Sequence, residues 1–300
     1  MAEKNKIYGL LGKNISYSLS PVMHNAAFKK FGIEAVYQLF DIDDSEFDDF
    51  IGNTILPGMV CGLNVTVPYK MRMKEWLEKN SAEVDELVKV TGSLNTVKIN
   101  SDNVYGYNTD LLGFLYAIKM EFGQEATLKI KKVFICGAGG AGRAIALFLA
   151  GNKFEGVIDK ITVYDISKDR LDSLKKDFDQ QYDANTASVS LKTIELKSDI
   201  FEEIKNCNLI VNATPLGTKD GDSSPIPLDV LQEGMLVYDL VYARETELVR
   251  GAKAKNIKAS NGLNMLVNQG ALSFEIWTGN PWERVKDVMK EAVLKYLGRS

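Results

Sequence analysis

Two groups of residues in this 300-residue sequence have types and spacings that could do chemistry. The first is polar and runs through the N-terminal third. SLS (18–20) sets two hydroxyls, Ser18 and Ser20, just ahead of a helix start. NVTVPYK (64–70) ends a buried-type strand on Thr66 and then Lys70. LNT (94–96) and YNTD (107–110) each place an amide at a strand end, Asn95 in the first, and Asp110 closes the second. Five hydroxyls and amides with one lysine and one aspartate suit a small polyhydroxylated ligand. Most also have a plain structural reading, Ser20 as an N-cap, Lys70 as a solvated helix lysine, Asp110 as the cap of the next helix and His24 as a hydrogen-bonding core residue, whereas Ser18 has no capping duty. The types alone do not combine into a reaction.

The second group is Gly137, Gly139 and Gly142, a GxGxxG run between the apolar strand KKVFICG and the helix AIALFLA. The first glycine allows a tight turn, the second lets backbone approach a pyrophosphate, and the third lets helix and strand pack closely. The helix N-terminus adds unpaired N–H groups and a partial positive charge. Asp165 ends the following strand, where this fingerprint requires a carboxylate. Such a carboxylate accepts hydrogen bonds from both ribose hydroxyls of NAD and repels the phosphate of NADP. Ile166 and Ser167 follow it, and Arg170 comes five positions on. The expectation is a dinucleotide site that prefers NAD, with NADP not excluded.

These residues must be positioned by a chain long enough for two domains. Hydrophobic residues are 45% and charged residues 25% of the sequence, ordinary for a globular protein. Lys plus Arg is 36 against 40 for Asp plus Glu, so no basic excess exists to neutralise a nucleic acid backbone. One histidine and three scattered cysteines (Cys61, Cys136, Cys207) exclude a two-imidazole site and argue against a disulfide framework or a thiolate metal site. No metal is expected. Apolar runs such as 144–150 are too short for a membrane span, and MAEKNKIYGLLG is a poor signal peptide, so a cytoplasmic protein is expected.

Strands are expected at 6–11, 36–42 and 60–67. Ser20 and Pro21 start a helix that Gly32 stops, and Pro68 starts one carrying Tyr69, Lys70 and Trp76. LNTVKI and VYGYN, joined by NSDN, read as a hairpin. Asp110 then caps LLGFLYAIKMEF, and six carboxylates at 41–49 read as a solvated face. From residue 130 the pattern changes: KKVFICG, ITVYD, NLIVNAT and MLVYDLVY are apolar runs alternating with helices, the signature of a covered parallel sheet. The fold class is α/β, an N-terminal α/β substrate domain plus a Rossmann-type doubly wound parallel-sheet domain. Residues 1–112 with 263–300 form the first, the last two helices returning to cover it, and 113–262 form the second.

The sequence resembles the shikimate dehydrogenases, including the quinate/shikimate dehydrogenases, over essentially its whole length. The resemblance rests on SLSPVMHN (18–25), GLNVTVPYK (62–70), GSLNT (92–96), GYNTD (106–110), GAGGAGRA (137–144), NATPLG (212–217), YDLVY (238–242) and GLNMLVNQGA (262–271), in that order. It implies a two-domain α/β fold with the ligand cleft between the domains, and reversible hydride transfer between shikimate and 3-dehydroshikimate. It casts Lys70 as the proton-transferring residue and Asp110 as its partner. Ser18, Ser20, Thr66, Asn95, Tyr242 and Gln269 are implied to hold the substrate. Gly137, Ala138, Gly139, Gly140, Ala141 and Gly142, with Asn212, Thr214, Leu240 and Gly262, are implied at the cofactor.

The sequence departs from the family pattern at Tyr17, Thr218, Ala243–Arg244 and Asp165–Ile166–Ser167; the last replaces the Asn-Arg-Thr of NADP-using members. Quinate oxidation with NAD is the alternative activity, and a non-catalytic ligand sensor is a remote one. A homodimer is compatible with the sequence.

Overall fold

The computed structural model describes residues 6–55, 59–80, 82–100, 103–151, 157–182 and 189–299. Its first elements are β1 (Lys6–Gly12), α1 (Ser20–Lys30), β2 (Ala35–Asp41), α2 (Phe47–Phe50), β3 (Gly62–Val65), α3 (Lys70–Lys79), β4 (Glu83–Val84), α4 (Glu86–Thr91), β5 (Thr96–Ile99), β6 (Val104–Tyr107) and α5 (Thr109–Phe122). There follow α6 (Gln124–Leu128), β7 (Lys132–Cys136), α7 (Gly140–Ala150), β8 (Lys160–Tyr164), α8 (Lys168–Gln181), β9 (Ser190–Ile194), α9 (Ile200–Ile204) and β10 (Leu209–Asn212). The last are β11 (Leu236–Asp239), α10 (Glu247–Ala254), β12 (Lys258–Asn261), α11 (Leu263–Thr278) and α12 (Trp282–Tyr296). They form two compact units, residues 1–113 with 267–300 and residues 114–266, so the divisions fall inside α5 and α11. Among the described residues no helix is long and apolar enough to cross a membrane.

The first unit is a six-stranded mixed sheet, ordered β2-β1-β3-β5-β6-β4. β1 runs parallel to β2 and β3, and the β5–β6 hairpin is antiparallel, pairing Thr96 with Tyr107 through Ile99 with Val104. The turn residues Ser101 and Asp102 of that hairpin lie outside the described residues, as does the start of the N-terminal leader reading, 1–5. One core packs Leu11, Phe47, Leu63, Tyr69, Met73, Leu77, Leu94 and Val97. α11 and α12 belong to this unit from Val267 onward: Trp277 donates its indole N–H to the Val97 carbonyl (3.0 Å), and α12 lies along α1.

Three helix starts differ from the sequence expectation. α1 begins at Ser20 itself, and the Ser18 hydroxyl accepts the Ser20 N–H at 3.2 Å, so the capping duty falls to Ser18. α3 begins at Lys70, two residues past Pro68, because the Thr66 carbonyl takes the Tyr69 N–H in a turn first. α5 is capped by Asn108, whose side-chain oxygen accepts the Leu111 N–H (3.2 Å); Asp110 stands inside the first turn. A cap must precede the helix to reach back to its N–H groups, and Asp110 comes two residues after that point.

The second unit holds six parallel strands in the order β12-β11-β10-β7-β8-β9. Counting from β7, that is the 3-2-1-4-5-6 order of a doubly wound dinucleotide-binding fold, with its switch point between β7 and β10. β10 and β11 are buried at every position, which is why they read as apolar runs. β9 and β12 are edge strands, and their polar composition (SLKTI, KASN) hid them from the sequence reading.

Two packing features are testable. His24 is fully buried, its ring stacked on Tyr37 with centroids 4.2 Å apart, and neither ring nitrogen has a protein partner among the described residues. Burial pushes its pKa down from 6.5 to about 3. Between those pH values the unfolded chain binds a proton that the folded chain does not, so the His24 contribution to stability is complete above pH 6.5 and falls as pH drops. The slope is about 1.4 kcal/mol per pH unit. Urea unfolding of His24→Phe and wild type should therefore diverge by about 2.5 kcal/mol between pH 7 and pH 4.5, the variant holding its stability better. Parallel curves would show that His24 does not titrate as a buried neutral base. The second feature is Gly142, where a Cβ would overlap the Gly137 carbonyl oxygen; Gly139 faces open space. Gly142→Ala should cost about 1–3 kcal/mol in thermal unfolding and Gly139→Ala almost none.

Candidate active site

The N-terminal polar residues gather at the ends of three strands. Lys70 opens α3 after β3, Asn95 precedes β5, and Asp110 follows β6 in the first turn of α5. The Lys70 ammonium lies 2.5 Å from Asp110 Oδ2, with the side chains 24% and 27% exposed. Asp110 Oδ1 accepts from Asn95 Nδ2 at 2.8 Å. The carboxylate is thus held from both oxygens, and its lysine partner remains open to solvent on one side. An ammonium so held can deliver a proton to an oxygen gaining negative charge, or as a neutral amine accept one back.

Asn95 itself is almost entirely spent on the protein. Its Oδ1 accepts the Thr109 N–H (2.7 Å) and its Nδ2 also donates to Thr109 Oγ1 (2.9 Å), leaving it 3% exposed. The expected substrate-holding residue is therefore first a brace for Asp110. Ser20 is likewise buried, with Ser18 half-buried and directed to it (3.2 Å between hydroxyl oxygens). Thr66 is half-buried just past β3, and Gln269 is buried on α11. Tyr242 belongs to the second unit, half-buried beyond β11.

In the second unit the glycine run turns from β7 into α7. Gly137 has φ +98°, and a Cβ there would press on the Ala213 carbonyl at 3.0 Å, so this turn requires glycine. Gly139 and Gly140 would each direct a side chain into open space, and the N-terminus of α7 carries no side-chain cap. Open space over uncapped N–H groups at Gly139, Gly140 and Ala141 fits a pyrophosphate. Gly142 and Gly262 have another duty: a Cβ on either would overlap backbone, of Gly137 and Leu240 respectively. They bring chain segments together, so any cofactor contact they make is through backbone.

Two further expectations change. Asn212 is fully buried, donating to Asp239 Oδ1 (2.9 Å) and the Leu216 carbonyl (3.1 Å) and accepting the Thr214 N–H (3.0 Å) and hydroxyl (2.7 Å). It shapes the loop that carries Thr214 and has no group left for a cofactor. Asp239, which the sequence reading passed over, is the buried centre of that arrangement: it also accepts the Val241 N–H and the Thr246 hydroxyl, and burial pushes its carboxyl up. The available signal was an acidic residue inside the apolar run MLVYDLVY.

Asp165 is 6% exposed and accepts the Ala138 N–H (2.7 Å) and the Ser167 N–H (2.8 Å). Arg170, one helical turn into α8 and 61% exposed, brings its guanidinium to 3.8 Å from Asp165 Oδ2. The argument for NAD rested on a carboxylate with no arginine next to it; Arg170 in fact lies beside it, and each of its oxygens already accepts a backbone N–H, so NAD preference is not supported. Among the described residues no group of three or more metal-ligating side chains forms a metal site.

Comparison with known proteins identifies the family. The domain described as shikimate dehydrogenase substrate binding domain matches residues 10–97, and the shikimate 5'-dehydrogenase C-terminal domain matches residues 262–294. The chain is 37% identical to a shikimate dehydrogenase (NADP(+)) of Methanopyrus kandleri, covering 99% of this chain and 97% of that one. It is similar in structure to a shikimate dehydrogenase solved in complex with NADP+ (TM-score 0.82, 33% identity, 99% and 97% of the two chains). A quinate dehydrogenase from Corynebacterium glutamicum in complex with NAD is also similar (TM-score 0.82, 27% identity, 97% and 99% covered). With identity of this order along nearly the full length, the chain belongs to the shikimate dehydrogenase family.

Proposed function

We propose that this protein is a shikimate dehydrogenase, interconverting shikimate and 3-dehydroshikimate with a nicotinamide dinucleotide, and that Lys70 moves the proton. The observation that carries the proposal is the Lys70–Asp110 pair, 2.5 Å apart and part-buried, with Asn95 fixing the far carboxylate oxygen. Such a pair is oriented before substrate arrives, so no reorganisation is needed as charge develops on the ring oxygen. When bound, the dinucleotide supplies or accepts the hydride. In the reducing direction Lys70 Nζ donates its proton to the oxygen of the former ketone; in oxidation it takes that proton back. Ser18, Thr66 and Gln269 supply the polar contacts that hold ring hydroxyls and carboxylate, with Ser20 and Asn95 supporting them from behind, and Tyr242 keeps the substrate-contact role that the family resemblance gives it. Glycines 137, 139 and 140 with Ala138 and Ala141 form the pyrophosphate cradle. Thr214 and Leu240 would line the nicotinamide end of a bound dinucleotide.

We further infer that NADP serves at least as well as NAD. Asp165 has its oxygens committed to backbone N–H groups, and the adjacent Arg170 can turn from it to a phosphate. A guanidinium facing a phosphate is a strong, charge-assisted pairing.

Three measurements test these assignments. Shikimate and quinate, each with NAD and NADP, should be followed at ~340 nm, where reduced nicotinamides absorb; shikimate should lead, and quinate leading would move the activity to quinate oxidation. Lys70→Ala should lose at least ~100-fold in kcat with KM for shikimate changed far less, as expected when a proton donor is removed. A loss under about tenfold would reject Lys70 as the main donor. Arg170→Ala should raise KM for NADP about tenfold and leave KM for NAD within twofold, because only NADP offers the phosphate. Equal effects on both cofactors would place the phosphate elsewhere.

A further inference from the structure

Beneath the Lys70–Asp110 pair lies a buried cluster of side-chain hydroxyls and amides from four elements. Asn64 comes from β3, Thr96 from β5, Thr109 from α5 and Ser273 from α11. All four are buried, Ser273 completely. Ser273 Oγ accepts from Asn64 Nδ2 at 2.9 Å, stands 2.9 Å from Thr96 Oγ1 and 3.1 Å from Thr109 Oγ1, and donates to the Gln269 carbonyl at 2.9 Å. No other side chain of the cluster touches all three of its partners and the segment carrying Gln269.

The donors and acceptors leave little freedom. The Thr109 N–H can only donate, and it points at Asn95 Oδ1 (2.7 Å). That forces the amide NH2 of Asn95 toward Thr109 Oγ1 and Asp110 Oδ1. The one remaining acceptor site of Asn95 Oδ1 takes the hydroxyl of either Thr96 (3.2 Å) or Thr109 (3.3 Å). On the far side, the Asn95 carbonyl can only accept and lies 3.3 Å from Asn64 Nδ2, so the Asn64 NH2 faces the Asn95 carbonyl, Thr96 and Ser273, and Asn64 Oδ1 accepts the Tyr37 hydroxyl at 2.8 Å. With the Ser273 proton on Gln269, the Ser273 oxygen is the acceptor that lets one threonine complete its bonding while the other bonds Asn95. Remove that oxygen, and a threonine hydroxyl loses its acceptor in a place water does not easily reach, while the Asn64 NH2 is left with the Asn95 carbonyl and Thr96 Oγ1. The nearest repair is rotation of Thr109 or Asn95, which releases Asp110 Oδ1.

We propose that Ser273 is a positioning residue for the Lys70–Asp110 pair, acting through Thr96, Thr109 and Asn95 to fix the direction of the Asp110 carboxylate. The role rests on the dehydrogenase reading above. Ser273 touches neither reactant, so its loss should alter turnover through geometry and leave substrate binding largely alone.

A double-mutant cycle with Asp110→Asn separates this role from a general packing one. Ser273→Ala should lower kcat about tenfold in the wild-type background, with KM for shikimate within about twofold. In the Asp110→Asn background the same substitution should change kcat by less than about twofold, since the group it positions is gone. Equal losses in both backgrounds, or no loss in either, would overturn the proposal. Thr96→Val, which removes a second hydroxyl of the cluster without changing side-chain volume, should reproduce the pattern if Ser273→Ala does not fold. A readout independent of turnover is the pair of Asn95 side-chain amide protons, identified by their absence in Asn95→Asp. In the wild type they should be well dispersed and slow to exchange, and in Ser273→Ala they should exchange at least tenfold faster while backbone dispersion is kept. Unchanged exchange rejects the positioning role. If wild-type protein turns over neither shikimate nor quinate, the dehydrogenase reading fails, and the amide exchange still decides whether Ser273 braces Asn95 and Asp110.

Discussion

The Asp110 carboxylate has two oxygens, and the first unit is organised around giving each a different donor. Oδ2 faces the Lys70 ammonium and Oδ1 faces the Asn95 amide. A part-buried carboxylate with one oxygen unsatisfied would turn to find a partner, and the lysine would turn with it. Holding both oxygens requires β3, β5, β6 and the start of α5 to end within a few ångströms of one another. The β5–β6 hairpin achieves this directly, pairing Thr96 with Tyr107 so that Asn95 and Asn108 leave adjacent strand ends together. Asn108 then caps α5 and is itself anchored to the Ser93 carbonyl and the Asp85 carboxylate, so Asp110 inherits its position from three bonds between side chain and backbone.

In the second unit the governing constraint is close backbone approach. Gly142 admits the Gly137 carbonyl and Gly262 admits Leu240, each at a separation no Cβ would permit, and Gly137 packs on Ala213 at a φ of +98° that other residues rarely adopt. Asp239 completes the arrangement from within, tying Asn212, Val241 and Thr246 at the carboxyl ends of β10 and β11. A buried carboxylate is costly unless its hydrogen bonds are supplied, and here amide, backbone and hydroxyl donors supply them. The same logic applies to Asp165, whose negative charge serves the Ala138 and Ser167 N–H groups before it serves any ligand.

Several residues legible as functional are therefore structural in their immediate bonding. Asn95, Asn212, Gly142 and Gly262 stand in the right blocks, yet each is occupied with protein. Sequence position could not distinguish them, because an amide at a strand end is the same letter whether it faces a ligand or a neighbouring threonine. Ser18 shows the converse: it was assigned no structural duty, and its hydroxyl accepts the first N–H of α1.

The sequence by itself determined the strand–helix alternation, the glycine turn after β7, the hairpin and the polar blocks that carry Lys70 and Asp110. These are local: periodicity of 2 or 3.6, a φ that only glycine tolerates, and short motifs acting within their own element. Edge strands β9 and β12 escaped because one-sided burial leaves no apolar run to read. What only the tertiary structure decided is which donor meets which acceptor. Asn64 bonds a serine 209 positions away, Asp110 a lysine 40 positions before it, and Asp165 a backbone N–H 27 positions before it. Hydrogen bonds are set by distance and direction in three dimensions, and neither is written in the order of residues along the chain.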